Sequence, residues 1–188
     1  MQIKFTLPIA PSVNQYLGYR VVYIRGKHIS QPYETKIAKE YKVFVKNIIH
    51  RELKKQDWTT PEKHEYVIMD LVFYFDRKRK DSDNAIKVMQ DAIVDSCIIE
   101  DDDVIMPRVN DIYIDKYNPR VEVTLKLAHK RGIFDNSEHL KKFKELNCNK
   151  CKKSTYKRKC GVIQKALENR IEPEIDINKN ICSEKKAM

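Results

Sequence analysis

Residues 66–97 read YVIMDLVFYFDRKRKDSDNAIKVMQDAIVDSC: an apolar run, a polar segment and then a helical pattern. The first ten residues, Tyr66 to Phe75, are the most apolar run of the chain, and their aromatic and β-branched content predicts a central strand. The polar segment 76–83 ends that strand. A helix is predicted from about Asn84, because apolar residues recur there at helical spacing on one predicted core face. They are Ile86, Met89, Ile93 and Cys97.

Upstream of this stretch, the sequence predicts two strands and a long helix. Gln2 to Leu7 alternates polar and apolar residues, which is typical of a strand with one buried face. Val21 to Ile24 is a short β-branched strand before a turn at 25–27. A helix is predicted from about Tyr33 to Lys55, with Pro32 near its start, because an apolar stripe recurs every three or four residues. The stripe is Ile37, Tyr41, Phe44, Val45, Ile48 and Ile49.

Two further strands are predicted downstream, at Val109 to Asp115 and at Val121 to Leu127. The turn signal Asn118-Pro119 lies between them, so we expect them to pair as a hairpin. The complete order predicts an α+β fold: a mixed, largely antiparallel sheet with two main helices packed on it.

Charge divides the chain. The formal net charge is +10 over 188 residues, yet residues 1–127 hold 21 basic and 19 acidic side chains, whereas residues 128–188 hold 16 and 8. We therefore predict a domain at 1–127 and a small basic extension at 128–188, joined by a linker at about 128–139. A basic extension is typical of nucleic-acid binding, and equally of a solubilising tail.

Several protein classes are excluded or disfavoured by the sequence. There is no apolar run of about 18 residues, so we expect no membrane span. The first residues lack the apolar region of a secretory signal, so a cytoplasmic location is expected. Neither the GxxxxGK[ST] motif of nucleotide-binding loops nor the GxSxG motif of hydrolases occurs.

Two acidic clusters carry the clearest chemical signal. Asp81 and Asp83 follow the apolar strand, and the run 100–103 follows the next helix. Carboxylates from two loops offer the hard oxygen ligands that Mg²⁺ prefers. Lys87 lies one turn into the helix, and the run 77–80 supplies four cations suited to a phosphate backbone. The alternative is that Asp83 or Asn84 caps the helix and the acidic run is a solvated loop.

At these residues the chain resembles the RusA family of Holliday-junction resolvases. The resemblance covers about residues 1–127 and has three parts in the family's order. They are Pro8-Ile9-Ala10-Pro11-Ser12-Val13-Asn14, Arg79-Lys80-Asp81-Ser82-Asp83-Asn84 with Lys87 and Asp91-Ala92, and Glu100-Asp101-Asp102.

The resemblance implies a homodimeric endonuclease that nicks four-way DNA junctions symmetrically with Mg²⁺. By motif position, Asp81, Asp83 and Asp102 would bind the metal, with Asp101 and Asp103 as neighbouring alternatives to Asp102. Lys87 would be the catalytic lysine. The residues implied to support the site or contact DNA are Asn14, Arg77, Lys78, Arg79, Lys80 and Asn84. The family occurs in bacteria and phages.

The extension departs from this family. Its cysteines, Cys148, Cys151, Cys160 and Cys182, follow a C-x2-C-x8-C-x21-C pattern whose first pair has zinc-knuckle spacing. His139 is an alternative fourth ligand, and a flexible basic tail with incidental cysteines is the competing interpretation. Tyr156 and the lysines around the cysteines are suited to gripping nucleic acid.

Two other functions stay open at this point. The chain could be a non-catalytic branched-DNA-binding or recombination accessory protein on the same fold. It could also be a basic regulator stabilised by zinc, with residues 1–127 only as a scaffold.

Overall fold

The computed structural model describes residues 1–62, 65–154, 160–171 and 173–186, without the side chain of Val13. The chain divides into two compact units. The first comprises Met1–Pro61 and Val67–Lys126, and the second comprises Glu62–Tyr66 and Leu127–Met188.

The first unit is built around a four-stranded sheet and two long helices. Its elements in chain order are β1 (Gln2–Leu7), α1 (Val13–Tyr16), β2 (Leu17–Ile24), β3 (Lys27–Glu34), α2 (Lys36–Leu53), β4 (Glu65–Phe75), α3 (Asp83–Asp95), a 3-10 helix (Asp102–Val104), β5 (Ile105–Ile114) and β6 (Arg120–Arg131). The sheet order is β1-β6-β4-β5, so β4 is an inner strand, as its sequence predicts. The expected α+β class, with a mixed and largely antiparallel sheet, is confirmed.

One face of this sheet is buried. Alternate residues of three strands have almost no exposed surface: Ile3, Phe5, Leu7, Val67, Met69, Leu71, Phe73, Phe75, Val121, Val123 and Leu125. The intervening residues of β1 are exposed. Helix α2 packs against β1 and against α3, so the helices supply the other side of the core. Burial of these side chains, at about 25 cal/mol per Å² of apolar surface, is the main force that holds the layers together.

The predicted hairpin of the last two strands is wrong. β5 pairs in parallel with β4, from Val67–Ile105 to Phe75–Ile114, and β6 pairs antiparallel with β1. The inner strand β4 therefore lies between β5 and β6. Helix α3 forms the crossover that a parallel β4–β5 pair requires. A turn signal at Asn118-Pro119 shows that the chain reverses, but it cannot show which strand is the neighbour.

The helix predicted from about Tyr33 to Lys55 corresponds to α2, which starts later, at Lys36, because residues 27–34 form a strand. β2 and β3 pair as a hairpin in which Tyr19 faces Pro32 and Gly18 faces Tyr33. Tyr33 packs so closely over Gly18 that a Cβ there would lie 2.5 Å from its ring. Helix α2 begins only after Thr35, whose side chain accepts the N–H of Ala38.

The buried face of α2 is also rotated from the predicted stripe. Ala38, Tyr41, Val45 and Ile49 are buried, whereas Ile37 and Phe44 are more than half exposed.

The expected core role of Cys97 is wrong as well. Helix α3 ends at Asp95, and Cys97 is exposed with a positive φ of 63°. This left-handed residue turns the chain, so Ile98 and Ile99 are buried instead.

The second unit contains two helices and a two-stranded sheet. They are α4 (Ser137–Asn147), α5 (Gly161–Leu167), β7 (Ile175–Asp176) and β8 (Ile181–Cys182). Its core consists of the buried residues Phe134, Phe143, Ala166 and Ile175, with partly buried side chains packed around them. The expected linker is wrong, because β6 continues to Arg131 and Phe134 is fully buried. Gly132 has a positive φ, and a Cβ there would lie 2.0 Å from the Ala166 carbonyl oxygen.

Candidate active site

The N-terminus of α3 is organised by Asp81. The Asp81 Oδ1 accepts the N–H of Asp83 at 3.0 Å, and its Oδ2 accepts the side-chain N–H of Asn84 at 2.7 Å. Ser82, the residue that precedes the helix, makes no capping hydrogen bond. The sequence left Asp83 or Asn84 as the cap, but Asp81 satisfies the free N–H group. Strand β4 ends at Phe75, so Asp81 and Asp83 do not lie on an extended strand.

Lys87 joins this helix end to the second acidic cluster. Its Nζ contacts the Oδ2 of Asp102 and lies 3.0 Å from the Oδ1 of Asp91, one helical turn further along α3. Lys87, Asp91 and Asp95 are spaced four residues apart along α3, so they lie on one face of the helix. The ammonium group therefore lies between two carboxylates that come from different elements.

Local structure gives the adjacent aspartates of the second acidic cluster different contacts. Asp101 precedes the 3-10 helix, and its side chain accepts the N–H of Asp102 at 2.7 Å. Asp102 is the first residue of that helix, and it directs its carboxylate to Lys87. Asp103 is exposed. Among the three adjacent aspartates, this geometry favours Asp102 as the ion-pair partner of Lys87 in the candidate site.

The ion pair shifts the titration of both partners. The hydrogen bond from Lys87 holds the pKa of the Asp102 carboxyl below its usual value. In turn, the hydrogen bonds to Asp102 and then Asp91 raise the pKa of Lys87. Both groups therefore stay charged near neutral pH.

A polar network behind Lys87 was missed from the sequence. The Tyr16 hydroxyl oxygen lies 3.2 Å from the Asp91 Oδ2 and 3.1 Å from the Glu34 Oε1, so its single proton can be donated to either carboxylate. The Lys42 Nζ lies 2.5 Å from the Glu34 Oε1 and 2.7 Å from the Asp95 Oδ2. Burial raises the pKa of Tyr16 to about 12. The i, i+4 spacing of Lys87 and Asp91 could have indicated their pair, but Tyr16 and Lys42 carry no local signal.

The other residues predicted to contact DNA lie in the loop before α3 and in α1, which packs against α3. Arg77, Lys78, Arg79 and Lys80 are all exposed in the loop between β4 and α3. Arg79 has a positive φ of 63°, and Lys80 lies 3.8 Å from Asp76. Asn14 is an exposed residue of α1, and α1 packs against α3. These positions bring the basic loop and the N-terminal motif to the helix that carries Asp83 and Lys87.

The predicted metal ligands are only partly assembled. Among the described residues, no group of three or more His, Cys, Asp or Glu side chains stands in metal-binding geometry. Asp81 and Asp83 are exposed at one helix end, and Lys87 links that helix to Asp102. Their donor chemistry, carboxylate oxygens beside a phosphate-attracting loop, fits a hard divalent cation such as Mg²⁺.

The predicted zinc ligands lie in the second unit. Cys148, Cys151, Cys160 and Cys182 are all free thiols. His139 is engaged elsewhere, since its two ring nitrogens lie 3.1 Å from Asp135 Oδ2 and Asn180 Oδ1. Tyr156 and the basic residues at 157–159 lie outside the described residues.

A comparison with protein families identifies the first unit. The sequence profile of endodeoxyribonuclease RusA matches residues 8–126. The chain belongs to the RusA endodeoxyribonuclease family. The matched range contains Asn14, the basic loop, Asp81, Asp83, Lys87 and Asp102. No curated protein matches the chain.

Membership of the RusA family assigns an activity class. The family consists of DNA-processing endonucleases of bacteria and phages that resolve Holliday junctions, and its nucleases generally depend on a divalent metal. Branched DNA is therefore the partner class of this chain. In the part of the chain that is described, every helix is too short or too polar to cross a membrane.

Proposed function

We propose that this chain is a Mg²⁺-dependent Holliday-junction resolvase that nicks two opposed strands of a four-way junction symmetrically, as a homodimer. The observation that carries the proposal is the contact of Lys87 with Asp102, close to the helix end that presents Asp81 and Asp83. A pure DNA binder gains nothing from carboxylates that face phosphate groups. We accordingly prefer catalysis to an accessory role.

Asp81, Asp83 and Asp102 would hold the metal in this mechanism. A bound divalent cation activates a water molecule and stabilises the charge that develops on a phosphodiester. Lys87 carries a positive charge that Asp91 orients, so it can stabilise the leaving oxygen or the non-bridging oxygens of the scissile phosphate. The basic loop 77–80 holds the adjoining backbone phosphates.

Dimerisation follows from the symmetry of the substrate. A four-way junction has two equivalent strands related by a two-fold axis, and two identical sites in a C2 dimer can meet them together. One protomer alone would nick one strand and leave the junction unresolved.

The decisive experiment is cleavage of a labelled four-way junction beside a linear duplex of the same sequence, in Mg²⁺ and in EDTA. We expect paired nicks on the junction only, abolished by EDTA. Asp83→Asn should lose cleavage and keep junction binding, because removing a negative charge near DNA does not weaken the complex. Asp103→Asn is the matched control and should cleave normally.

Two results would contradict the proposal. Tight junction binding without cleavage in any divalent metal would favour the accessory protein. Cleavage that survives Asp83→Asn would show that the metal ligands lie elsewhere.

A further inference from the structure

The cysteines of the second unit are brought together by its secondary structure. Cys148 directly follows α4, Cys160 directly precedes α5, and Cys182 lies in β8. The N–H of Cys151 donates to the Cys148 carbonyl oxygen at 3.1 Å, so the first pair lies in one tight turn. Residues 34 positions apart in sequence, Cys148 and Cys182, thus belong to elements that pack on one core.

Hydrogen bonds fasten the first pair to the segment around Cys182. Asn147, which precedes Cys148, is 7% exposed; its side chain accepts the N–H of Cys182 at 3.1 Å and donates to the Asn180 carbonyl at 3.0 Å. Further on, the N–H of Lys186 donates to the Cys151 Sγ at 3.4 Å, while the N–H of Lys152 donates to the Lys186 carbonyl at 2.9 Å. The two segments are therefore held side by side.

Cys97, the fifth cysteine of the chain, belongs to the first unit and is exposed.

The apolar core of the second unit is small. Among the described residues, its buried members are Phe134, Phe143, Ala166 and Ile175, and only partly buried side chains pack against them. Units with so small a core usually depend on a metal or on disulfides. Residues 128–188 also carry 16 basic and 8 acidic side chains, so the surroundings favour an anionic centre.

We propose that Cys148, Cys151, Cys160 and Cys182 bind one structural Zn²⁺ ion as four thiolates. As placed, the sulfur atoms do not form a closed metal site, so binding requires the side chains to rotate toward a common centre. Four thiolates complete a tetrahedral shell, which leaves no position for a substrate and makes the ion structural. The N–H of Lys186 orients the Cys151 sulfur. Because this site is separate from the carboxylates of α3, the proposal does not depend on the nuclease activity.

The test is the metal content of the full-length protein, purified without added zinc and measured by mass spectrometry of the elements. We expect about one zinc ion per chain, retained through dialysis against EDTA. Cys151→Ser should lose the zinc, whereas the matched control Cys97→Ser should keep it. Asp102→Asn should also keep it, which separates this ion from the metal of the nuclease.

A second measurement does not require any variant to fold. Exchange of the zinc for Co²⁺ in the wild-type protein should give the sulfur-to-cobalt charge-transfer band and intense visible bands of tetrahedral thiolate coordination. Bound iron with sulfide, a mass that shows disulfides among the four cysteines, or a metal-free protein with five equally reactive thiols would each overturn the proposal.

Discussion

The Nζ of Lys87 contacts the Oδ2 of Asp102, fifteen positions along the chain, while its other partner Asp91 lies one turn away on the same helix. This relationship connects the two acidic clusters, which local sequence cannot do. It also holds Lys87 beside Asp102, one of the residues proposed to bind the metal next to a DNA phosphate group.

Removal of the Lys87 charge should impair catalysis more than binding. We expect Lys87→Met to slow single-turnover cleavage about 10²–10³-fold, the cost of losing one charge-stabilising group. Junction affinity should change only a few-fold, because the basic loop remains. Lys36→Met removes a surface lysine that pairs with Glu40, and it should leave cleavage unchanged. An equal loss in both variants would mean that general charge, and not position, is what counts.

Asp91 is predicted to act by positioning Lys87. Asp91→Asn weakens the 3.0 Å contact with Lys87 and the acceptor for the Tyr16 hydroxyl, so we expect cleavage to fall about 10–100-fold. Asp91→Glu should restore part of the rate, a rescue that a purely structural role would not give. If the melting temperature of Asp91→Asn falls with the rate and Asp91→Glu rescues neither, the positioning role is wrong.

Asp81 should have two separable roles. Asp81→Ala removes the acceptor for the N–H of Asp83, and the free energy of unfolding should fall by about 1 kcal/mol. Asp81→Asn keeps a capping oxygen, so its stability should stay near that of the wild type. Both variants should lose cleavage if Asp81 holds the metal. Chemical denaturation beside junction cleavage distinguishes the roles, and an active Asp81→Asn would leave Asp81 only its capping role.

Lys42 should stabilise the fold in a pH-dependent way. Its side chain is 14% exposed between Glu34 and Asp95, and Lys42→Met should lower the free energy of unfolding by about 1–2 kcal/mol at neutral pH. Burial by itself would lower the pKa of Lys42, but hydrogen bonds with Asp95 and Glu34 raise it above 10.5.

The sign of this pH dependence follows from linkage. A raised pKa in the folded state gives stability that is complete below the unfolded value of 10.5 and is lost as pH rises toward the folded value. The difference between wild type and Lys42→Met should therefore be constant from neutral pH to about pH 10 and shrink above it. Denaturation curves across that range would show it. A difference that grows with alkalinity would contradict the assigned cation.

The basic loop should determine affinity through phosphate contacts. The double variant Arg77→Gln, Lys78→Gln should weaken binding uniformly across junction sequences and reduce the salt slope of the affinity by about 1 per lost contact. Titration by fluorescence anisotropy at several salt concentrations measures this slope. The matched control Lys36→Met should keep the wild-type slope, and an unchanged slope in the loop variant would place the DNA elsewhere.

Local patterns in the sequence were enough to identify the main secondary-structure elements. Alternation at residues 2–7, the apolar run at 66–75 and the helical period of α3 each record which side of an element is buried, and that signal is local. The motif residues around Asp81 and Lys87 could also be recognised from the sequence, because a family profile depends on residue order and spacing.

The way in which these elements pack and pair depends on contacts between residues that are distant in sequence. β4 separates β5 from β6, since strand pairing depends on contacts distant in sequence that a turn signal does not encode. The rotation of α2 that exposes Phe44, and the left-handed turn that exposes Cys97, depend on neighbouring elements in the same way. The contact between Lys87 and Asp102 exists because α3 and the 3-10 helix after it pack together, so three-dimensional packing assembles what the sequence supplies in separate pieces.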